Sequence, residues 1–425
     1  MRRVLFDDSN STHLRISYST GHYMYRMTSS LRKASLADTL SHARKLAVQF
    51  GITRVTNTTW LDKIGIPVFA SIRPDAVEGS LCVSAGKGMR AEEAQVGAYM
   101  EAIEFAIAEY RNRNIEVFFS TPRKVAAQAG FAHEFVDFCP ILGAPIDPDG
   151  PLACVEAEDV ATGRTFAVPA ELIFSPFSEN QGQRIFGTST NGLSSGNSVD
   201  EASVHGIAEI VERDVQAFNF MKDTSRLMLR DCPVPTLDPL FSRVEAAGLD
   251  AVVRYTPSVI GLPYVQGFIL EPSDDAPIAI SCGSGLHLCR DIASVRGLAE
   301  AAQSRLSYIH GGRDDLIERF KYFSASDRQA ELDAVARLRS HVNDSREAIA
   351  YSAIEDANAQ IDSIDSALEC LLERLRHQGF SQVLRVVLSK NDSPLAVVKM
   401  VIPGMESFQP ALKRAGPRLS RYISR

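Results

Sequence analysis

The stretch GLSSGNSVDEASVHGIAEIVERD, residues 192–214, decides the fold, because its second half returns twice elsewhere in the chain. ASVHGIAEIVE begins at Ala202, ASVRGLAEAAQ begins at Ala293, and a fainter copy, AQVGAYMEAIE, begins at Ala94. Each copy has Val two residues after its first Ala, Glu at the eighth position, and Glu or Gln at the eleventh. Apolar residues recur at helical spacing in each copy, so the phrase predicts three similar helices.

The acids of the three copies are three residues apart, and residues with that spacing share one face of a helix. The resulting pairs are Glu101 with Glu104, Glu209 with Glu212, and Glu300 with Gln303. These acids lie among Ala, Ile, Val and Met, and a buried carboxylate is costly unless it is paired or bound to a cation. If the helices converge, the oxygen-only donor set favours a hard cation such as Mg²⁺, which usually brings substrate phosphates with it.

Two other interpretations of the acidic phrase stay open. The acids can lie on solvated helix faces, or they can pair with Arg213, Arg296 and Arg305 in helices whose similarity reflects only close packing. The loops ahead of the helices favour a phosphate site instead. SAGKG, from Ser84, places Lys87 among glycines, and STNGLSSGNSVDE, from Ser189, offers small polar residues at a helix start, where phosphate binds well.

Composition excludes several classes of protein. The 425 residues are 45% hydrophobic and 23% charged, which is typical of a globular chain with a sizeable core. The net charge of −7 argues against a nucleic-acid or membrane-surface binder, and no apolar run is long enough to span a membrane. The seven cysteines form no C-x-x-C pair, and Cys282, His287 and Cys289 make a weak zinc candidate. We expect a reduced, cytoplasmic protein.

Strand-like segments alternate with long helical ones, so we expect a layered α+β or α/β fold. Residues 1–60 form an N-terminal segment, with a helix over 35–50 that Ser35 or Asp38 caps. Residues 61–407 form the main domain, in which 319–378 is a charged, solvent-facing helical insertion. Residues 408–425 form a basic tail, which is either solvated or in contact with nucleotide or an acidic leader peptide.

These motifs resemble the YcaO family. The resemblance covers GLSSGNSVDEASVHGIAEIVERD, SAGKGMRAEEAQVGAYMEAIE, ASVRGLAEAAQSRLSYIHGGRDDL and the late VVKMVIPGMES, and it spans roughly residues 65–407. It implies a fold peculiar to that family, built around an ATP and Mg²⁺ site. It also implies an activity: ATP phosphorylates a peptide backbone amide oxygen, after which a side chain gives an azoline or an external sulfide gives a thioamide.

The resemblance assigns residues to roles. Glu209, Glu212, Arg213 and Arg296 are the catalytic candidates, and Arg32 is the candidate for a basic residue near the start of the family's sequences. The nucleotide would be held by Lys87, Ser194, Asn197, Glu201, Arg213, Arg296 and Gln303. The metal would be held by Glu101, Glu104, Glu209, Glu212 and Glu300.

Departures from the family pattern indicate the subtype. Gly97 and Phe105 stand where the family often has Ser and Arg, and these two departures concern contacts with the nucleotide. The subtype is indicated by GPRLSRYISR, which stands where azoline-forming members carry a Pro-x-Pro-x-Pro tail. WLDKIGIPVFASIRP, from Trp60, resembles members that work beside a TfuA partner protein. We therefore expect thioamidation of a peptide or protein, with a sulfide donor, a TfuA-like partner and a homodimer. The alternatives are an azoline-forming cyclodehydratase and a non-catalytic ATP-binding accessory protein.

Overall fold

A computed structural model describes residues 15–16, 24–178, 182–230, 234–313 and 328–424. Helices and mostly antiparallel strands alternate along these residues, which confirms the α+β expectation. In the described part of the chain, no helix is long and apolar enough to cross a membrane.

The helices begin and end close to the predicted positions. In the first helix, the Ser35 hydroxyl accepts a hydrogen bond from the Asp38 amide at 3.1 Å, which is the predicted cap. The helices are α1 Leu36–Gln49, α2 Ala91–Ala108, α3 Pro122–Ala126, α4 Val199–Met221, α5 Asp238–Ala246, α6 Arg290–His310, α7 Arg328–Val342, α8 Ile364–His377 and α9 Pro417–Ile423.

The strands form four sheets. They are β1 Arg15–Ile16, β2 Met24–Arg26, β3 Leu31–Arg32, β4 Arg54–Asn57, β5 Val68–Ile72, β6 Val83–Lys87, β7 Phe118–Ser120, β8 Leu152–Asp159, β9 Thr165–Pro169, β10 Leu193–Gly196, β11 Leu227–Arg230, β12 Asp250–Pro257, β13 Pro263–Leu270, β14 Ile280–Leu286, β15 Ala348–Ala350, β16 Leu384–Val387 and β17 Ala396–Val401. The sheet orders are β1-β2-β3, β4-β5-β6, β10-β17-β16-β8-β7 with β9 beside β8, and β14-β13-β12-β11-β15.

The three copies of the acidic phrase form α2, α4 and α6, and each helix packs on the strand that precedes it. A Cβ added to Gly86 on β6 would lie 2.1 Å from the Ala94 carbonyl oxygen, and one added to Gly285 on β14 would lie 2.2 Å from that of Ala293. In the middle copy Ser194 occupies the same place, eight residues before Ala202, and donates to its carbonyl at 2.7 Å. The repeated phrase is therefore a strand–helix unit in which a small residue permits close approach.

The prediction of a loop before the second acidic helix is partly wrong. Residues 193–196 form β10, which pairs antiparallel with β17 from Leu193 opposite Lys399 to Gly196 opposite Ala396. The sequence Leu-Ser-Ser-Gly has no apolar run that indicates a strand. Its partner β17, about two hundred residues later, supplies the pairing.

The predicted solvent-facing helical insertion, 319–378, differs from the structure where it is described. It contains a strand, β15, which pairs in parallel with β11. Helix α8, in the same segment, packs against α4 and buries one apolar face, formed by Ile364, Ala367, Leu368, Leu371 and Leu375. These side chains recur at helical spacing, so α8 belongs to the core and does not cover it from outside. Residues 319–327 lie outside the described residues.

The basic tail is not a solvated segment. Arg414 is 6% exposed and donates to the carbonyls of Phe138 and Cys139, each at 2.8 Å. Arg418, on α9, pairs with Asp214, which is 1% exposed and lies on α4 next to the predicted catalytic Arg213. Among the described residues, Arg414 and Arg418 therefore bind internal partners, and the prediction of a solvated tail is wrong for these two side chains.

Candidate ATP and metal site

A cavity of about 300 Å³ lies where α2, α4 and α6 meet. Ten of the twelve predicted nucleotide, metal and catalytic residues line it, and they come from all three copies of the acidic phrase and from the strands beneath. They are Lys87, Glu101, Glu104, Ser194, Glu209, Glu212, Arg213, Arg296, Glu300 and Gln303. The structure thus brings together side chains separated by up to about two hundred residues of sequence, as convergence of the three helices requires.

Backbone amides of the underlying strands hold two of the carboxylates. The Ala85 amide on β6 donates to Glu101 at 2.8 Å, and the Ser284 amide on β14 donates to Glu300 at 3.3 Å. Both bonds join residues sixteen apart, so the first and third strand–helix units present their acids in the same way. Glu300 also receives the Lys87 ammonium at 2.6 Å, which links the first unit to the third.

The middle helix contributes two acids and a cation. Glu212 accepts from the Ser284 hydroxyl at 2.8 Å and from the Leu286 amide at 3.1 Å, both on β14. Arg213 lies 3.7 Å from Glu209, one turn earlier on the same helix. The arrangement fixes Glu212 firmly and leaves Glu209 with a looser ion-pair partner.

Burial in the cavity disfavours the ionised form of several of its carboxyl groups. Burial, together with the charges of Glu101 and Glu209, raises the pKa of Glu104 to about 8, although the Ser195 hydrogen bond opposes the shift. Burial likewise raises the pKa of Glu101 and of Glu209. Burial would also raise that of Glu300, but the Lys87 ammonium outweighs it and the pKa falls. Three of these carboxylates are therefore short of positive charge, which a bound cation would supply.

Three of the described residues that line the cavity carry buried polar atoms without a hydrogen-bond partner. Among the described residues, Arg296 Nε, Gln303 Oε1 and His205 Nε2 are buried without a hydrogen-bond partner, and all three residues line the cavity. Buried donors and acceptors are normally satisfied, so these atoms indicate a ligand with both donor and acceptor groups. Donors from Arg296 and Lys87 suit phosphate oxygens.

The carboxylates do not converge on one point. In the described part of the chain, no three Asp, Glu, His or Cys side chains are arranged to hold a single metal ion. Glu101 is bonded to β6, whereas Glu212 and Glu300 are both bonded to Ser284 on β14. Mg²⁺ usually takes only one or two carboxylates, with water and substrate phosphates as its other ligands, so the residues fit a metal that arrives with nucleotide.

Two predicted nucleotide residues lie one layer behind the cavity. Glu201 is fully buried and accepts from Arg32 at 2.9 Å and from the Lys33 amide at 2.8 Å. Asn197 donates to Glu201 and accepts from Thr39 at 2.9 Å. Arg32, the candidate for the family's early basic residue, does line the cavity. Asn197 and Glu201 therefore position Arg32 in this structure.

Several cavity residues carried no local signal in the sequence. Ser29, Ser30, Glu93 and His205 line the cavity, and Lys399 lies at its edge, 1% exposed, donating to the Ser189 carbonyl at 2.7 Å. Burial lowers the pKa of Lys399, and attraction to Glu209 opposes that shift. His205 follows Val204 in the middle copy at the position that Arg296 holds in the third, so aligning the copies would have indicated it.

The structure bears on two alternatives weighed from sequence, of which pairing of the acids with arginines holds in part, because Arg213 lies 3.7 Å from Glu209. Arg305 pairs with Asp62 at 3.0 Å and with Glu271 at 2.6 Å, and not with the acids of the phrase. The weak zinc candidate is not assembled, because His287 Nδ1 accepts from the Cys289 amide at 3.0 Å and the described residues contain no metal-binding cluster.

The sequence matches a family model described as YcaO cyclodehydratase, ATP- and Mg²⁺-binding, over residues 85–406. The chain belongs to the YcaO family. An uncharacterised protein of Methanothermobacter thermautotrophicus is 32% identical over 378 residues, which are 88% of this chain and 94% of that protein. A Rhizobium leguminosarum bv. trifolii protein, named for its position in the tfuA 3′ region, is 30% identical over 389 residues, with 88% of each chain covered.

Solved structures agree with this membership at the level of the fold. YcaO from Methanopyrus kandleri, bound with AMPPCP and Mg²⁺, superposes with a TM-score of 0.70 at 22% identity, covering 91% of this chain and 96% of the other. A heterocyclase in complex with substrate and cofactor gives 0.74 at 17% identity, covering 91% of this chain and 54% of the other. The family resemblance inferred from the repeated acidic phrase is confirmed.

Proposed function

We propose that this YcaO protein uses ATP with Mg²⁺ to phosphorylate the oxygen of a peptide backbone amide, leading to a thioamide in a ribosomally made peptide or a protein. One observation carries the proposal: acids from three separate helices line one cavity of about 300 Å³ together with Lys87, Arg213 and Arg296. Buried carboxylates beside cations, together with described lining residues that carry unpartnered polar atoms, suit a site for metal and nucleotide.

Each group has a role that follows from its charge and position. Lys87, Arg213 and Arg296 bind phosphate oxygens and stabilise the charge that develops on the transferring phosphoryl group. Glu101, Glu104, Glu209, Glu212 and Glu300 supply the metal ligands, with Gln303 beside them. Bound Mg²⁺ neutralises phosphate charge and orients the phosphates. The chain then mainly positions reactants, which suits a cavity without an activated nucleophile among its described lining residues.

The proposed reaction balances without a redox partner. The amide oxygen forms a bond to the terminal phosphorus as the bond from that phosphorus to ADP breaks. Sulfide then adds to the amide carbon, the carbon–oxygen bond breaks, and the original amide oxygen leaves on phosphate. The sulfide protons pass to solvent, and one sulfur replaces one oxygen.

Two observations favour the thioamide product. The Rhizobium leguminosarum relative takes its name from the neighbourhood of tfuA, and the stretch from Trp60 resembles TfuA-associated members. Residues 417–423 form α9, which Arg418 anchors on α4, where azoline-forming members carry prolines. The cyclodehydratase description of the family model keeps azoline formation as the second candidate.

Mass spectrometry separates the products. We expect the protein, supplied with ATP, Mg²⁺, sulfide, a TfuA-like partner and a precursor peptide from its own gene neighbourhood, to raise the peptide mass by exchange of oxygen for sulfur. Loss of water would show an azoline instead. Nucleotide binding without turnover would show an accessory protein. A peptide carrying heavy oxygen at the target amide should pass that label to phosphate, and unlabelled phosphate would contradict amide activation.

A further inference from the structure

A second cavity, of about 550 Å³, adjoins the cavity where α2, α4 and α6 meet, which we call the nucleotide cavity. The two share a wall formed by Lys87, Glu101, Arg213, Glu300 and Gln303. We propose that this second cavity, the acceptor cleft, holds an uncharged stretch of peptide whose main chain hydrogen-bonds to residues 188–190. The proposal rests on the proposed function and identifies where the amide to be activated lies.

The opposite wall of the acceptor cleft has free backbone donors. Thr188, Ser189 and Thr190 line the cleft outside any helix or strand. Their amides donate to no acceptor among the residues that the structure describes. Thr188 is exposed and the other two residues are half-buried, so none of the three residues is closed off from solvent. Unpaired main-chain donors of this kind bind an added peptide chain through its carbonyl groups.

This wall is fixed before any peptide arrives. Glu171, which is 5% exposed, accepts from the amides of Ile185, Phe186 and Gly187 at 2.8, 2.9 and 2.8 Å. Just beyond them, the Lys399 ammonium holds the Ser189 carbonyl. A preordered main chain loses little conformational entropy when a ligand binds, which favours recognition of a flexible peptide.

The rest of the wall indicates the chemistry of the peptide. The side chains that the cleft does not share with the nucleotide cavity are mainly hydroxyls and apolar groups, including Ser175, Ser304, Leu81, Phe105 and Leu412. Its carboxylates, Glu101 and Glu300, belong to the shared wall and are bonded to the Ala85 amide and Lys87. Arg313 also lines the cleft, and its charge acts on Glu101. Among the described lining residues, Arg313 acts on Glu101 and Glu300 is paired with Lys87, so a charged peptide finds no counter-charge reserved for it, whereas a neutral one with an apolar side chain fits.

The shared wall explains why the two cavities adjoin. Lys87 and Arg213 face both, so a peptide lying along residues 188–190 has its amides beside the groups assigned to phosphate. That placement brings an amide oxygen to the transferring phosphoryl group, which is the proximity that phosphoryl transfer needs.

The test uses a phage-displayed pool of random short peptides, selected on the full protein with AMPPCP and Mg²⁺. We expect enriched peptides to be low in charge and to carry an aromatic or aliphatic residue. A synthetic copy of one of them should bind about tenfold more weakly to Ser304→Trp, which fills the cleft, and to Thr188→Pro, which removes an amide donor. Ser340→Trp, on an exposed part of α7 outside both cavities, is the matched control and should bind as the unmodified protein does.

AMPPCP affinity, measured first and without peptide, separates this proposal from the proposed function. Both cleft variants should keep the affinity of the unmodified protein. Loss of AMPPCP binding in both variants would show that the cleft belongs to the nucleotide site and would overturn the proposal. Enrichment of strongly charged peptides, no enrichment, or equal binding to the filled cleft would overturn it as well. Failure of the unmodified protein to bind AMPPCP would instead refute the proposed function.

Discussion

Binding of AMPPCP with Mg²⁺ should strengthen as the pH rises from about 6 to about 9 and should release protons. The cause is Glu104, whose pKa burial raises to about 8, so this side chain is mainly protonated at neutral pH in the free protein. A cation binds the ionised form. Below the pKa of Glu104 the proton must therefore be expelled on binding, and above it nothing is lost.

The size of the effect follows from that pKa. Each proton displaced weakens the apparent affinity about tenfold for every pH unit below the pKa, or about 1.4 kcal/mol. With a pKa of about 8, binding at neutral pH should be roughly tenfold weaker than its limit at high pH. Burial also raises the pKa of Glu101 and of Glu209, so the slope steepens where they too lose a proton.

Isothermal titration calorimetry in two buffers of different ionisation enthalpy measures the affinity and the proton count together. Glu104→Gln should release one proton fewer and show a flatter pH dependence, while titration of the nucleotide itself is common to both proteins. Ser195→Ala removes a hydrogen bond that lowers the pKa of Glu104, so its curve should move to higher pH. Identical slopes for the unmodified protein and Glu104→Gln would refute this account of the cavity.

Two further predictions concern the framework of the site. Arg418→Ala leaves the buried Asp214 carboxylate without its ion pair and should lower the free energy of unfolding, measured by urea denaturation, by about 2–4 kcal/mol. Arg418→Lys should recover part of that loss. An unchanged urea midpoint for Arg418→Ala would contradict a structural role for α9. Gly285→Ala places a methyl group 2.2 Å from the Ala293 carbonyl oxygen and should lower the free energy of unfolding by about 1–3 kcal/mol or more, measured in the same way. An unchanged urea midpoint would contradict the close packing of α6 on β14.

Local pattern was enough to predict most of the regular elements. The sequence predicted a helix over 35–50, where the structure has Leu36–Gln49, and three similar helices from the acidic phrases, which are α2, α4 and α6. The three acidic phrases also predicted which acids line the cavity, because the charges on a repeated, buried helix face need partners. The fold and the cavity acids were thus predictable from short-range sequence features.

Long-range pairing was not predictable in the same way. β10 forms because β17 pairs with it, and the tail folds because Asp214 lies buried beneath Arg418; neither partner is near in sequence. Lys399 is similar, since nothing beside it in the strand indicates that its ammonium reaches the carbonyl of Ser189 in the wall of the acceptor cleft. Such contacts depend on tertiary packing, which single-sequence patterns do not encode.

Mg²⁺-dependent binding of AMPPCP to three single variants tests most directly whether acids from separate helices serve one site. The variants are Glu101→Gln on α2, Glu209→Gln on α4 and Glu300→Gln on α6, with Glu373→Gln on the exposed side of α8 as the matched control. We predict that each of the three weakens binding in the presence of Mg²⁺ by about tenfold or more, while the control binds normally. Unchanged Mg²⁺-dependent binding in all three would contradict a shared metal–nucleotide site.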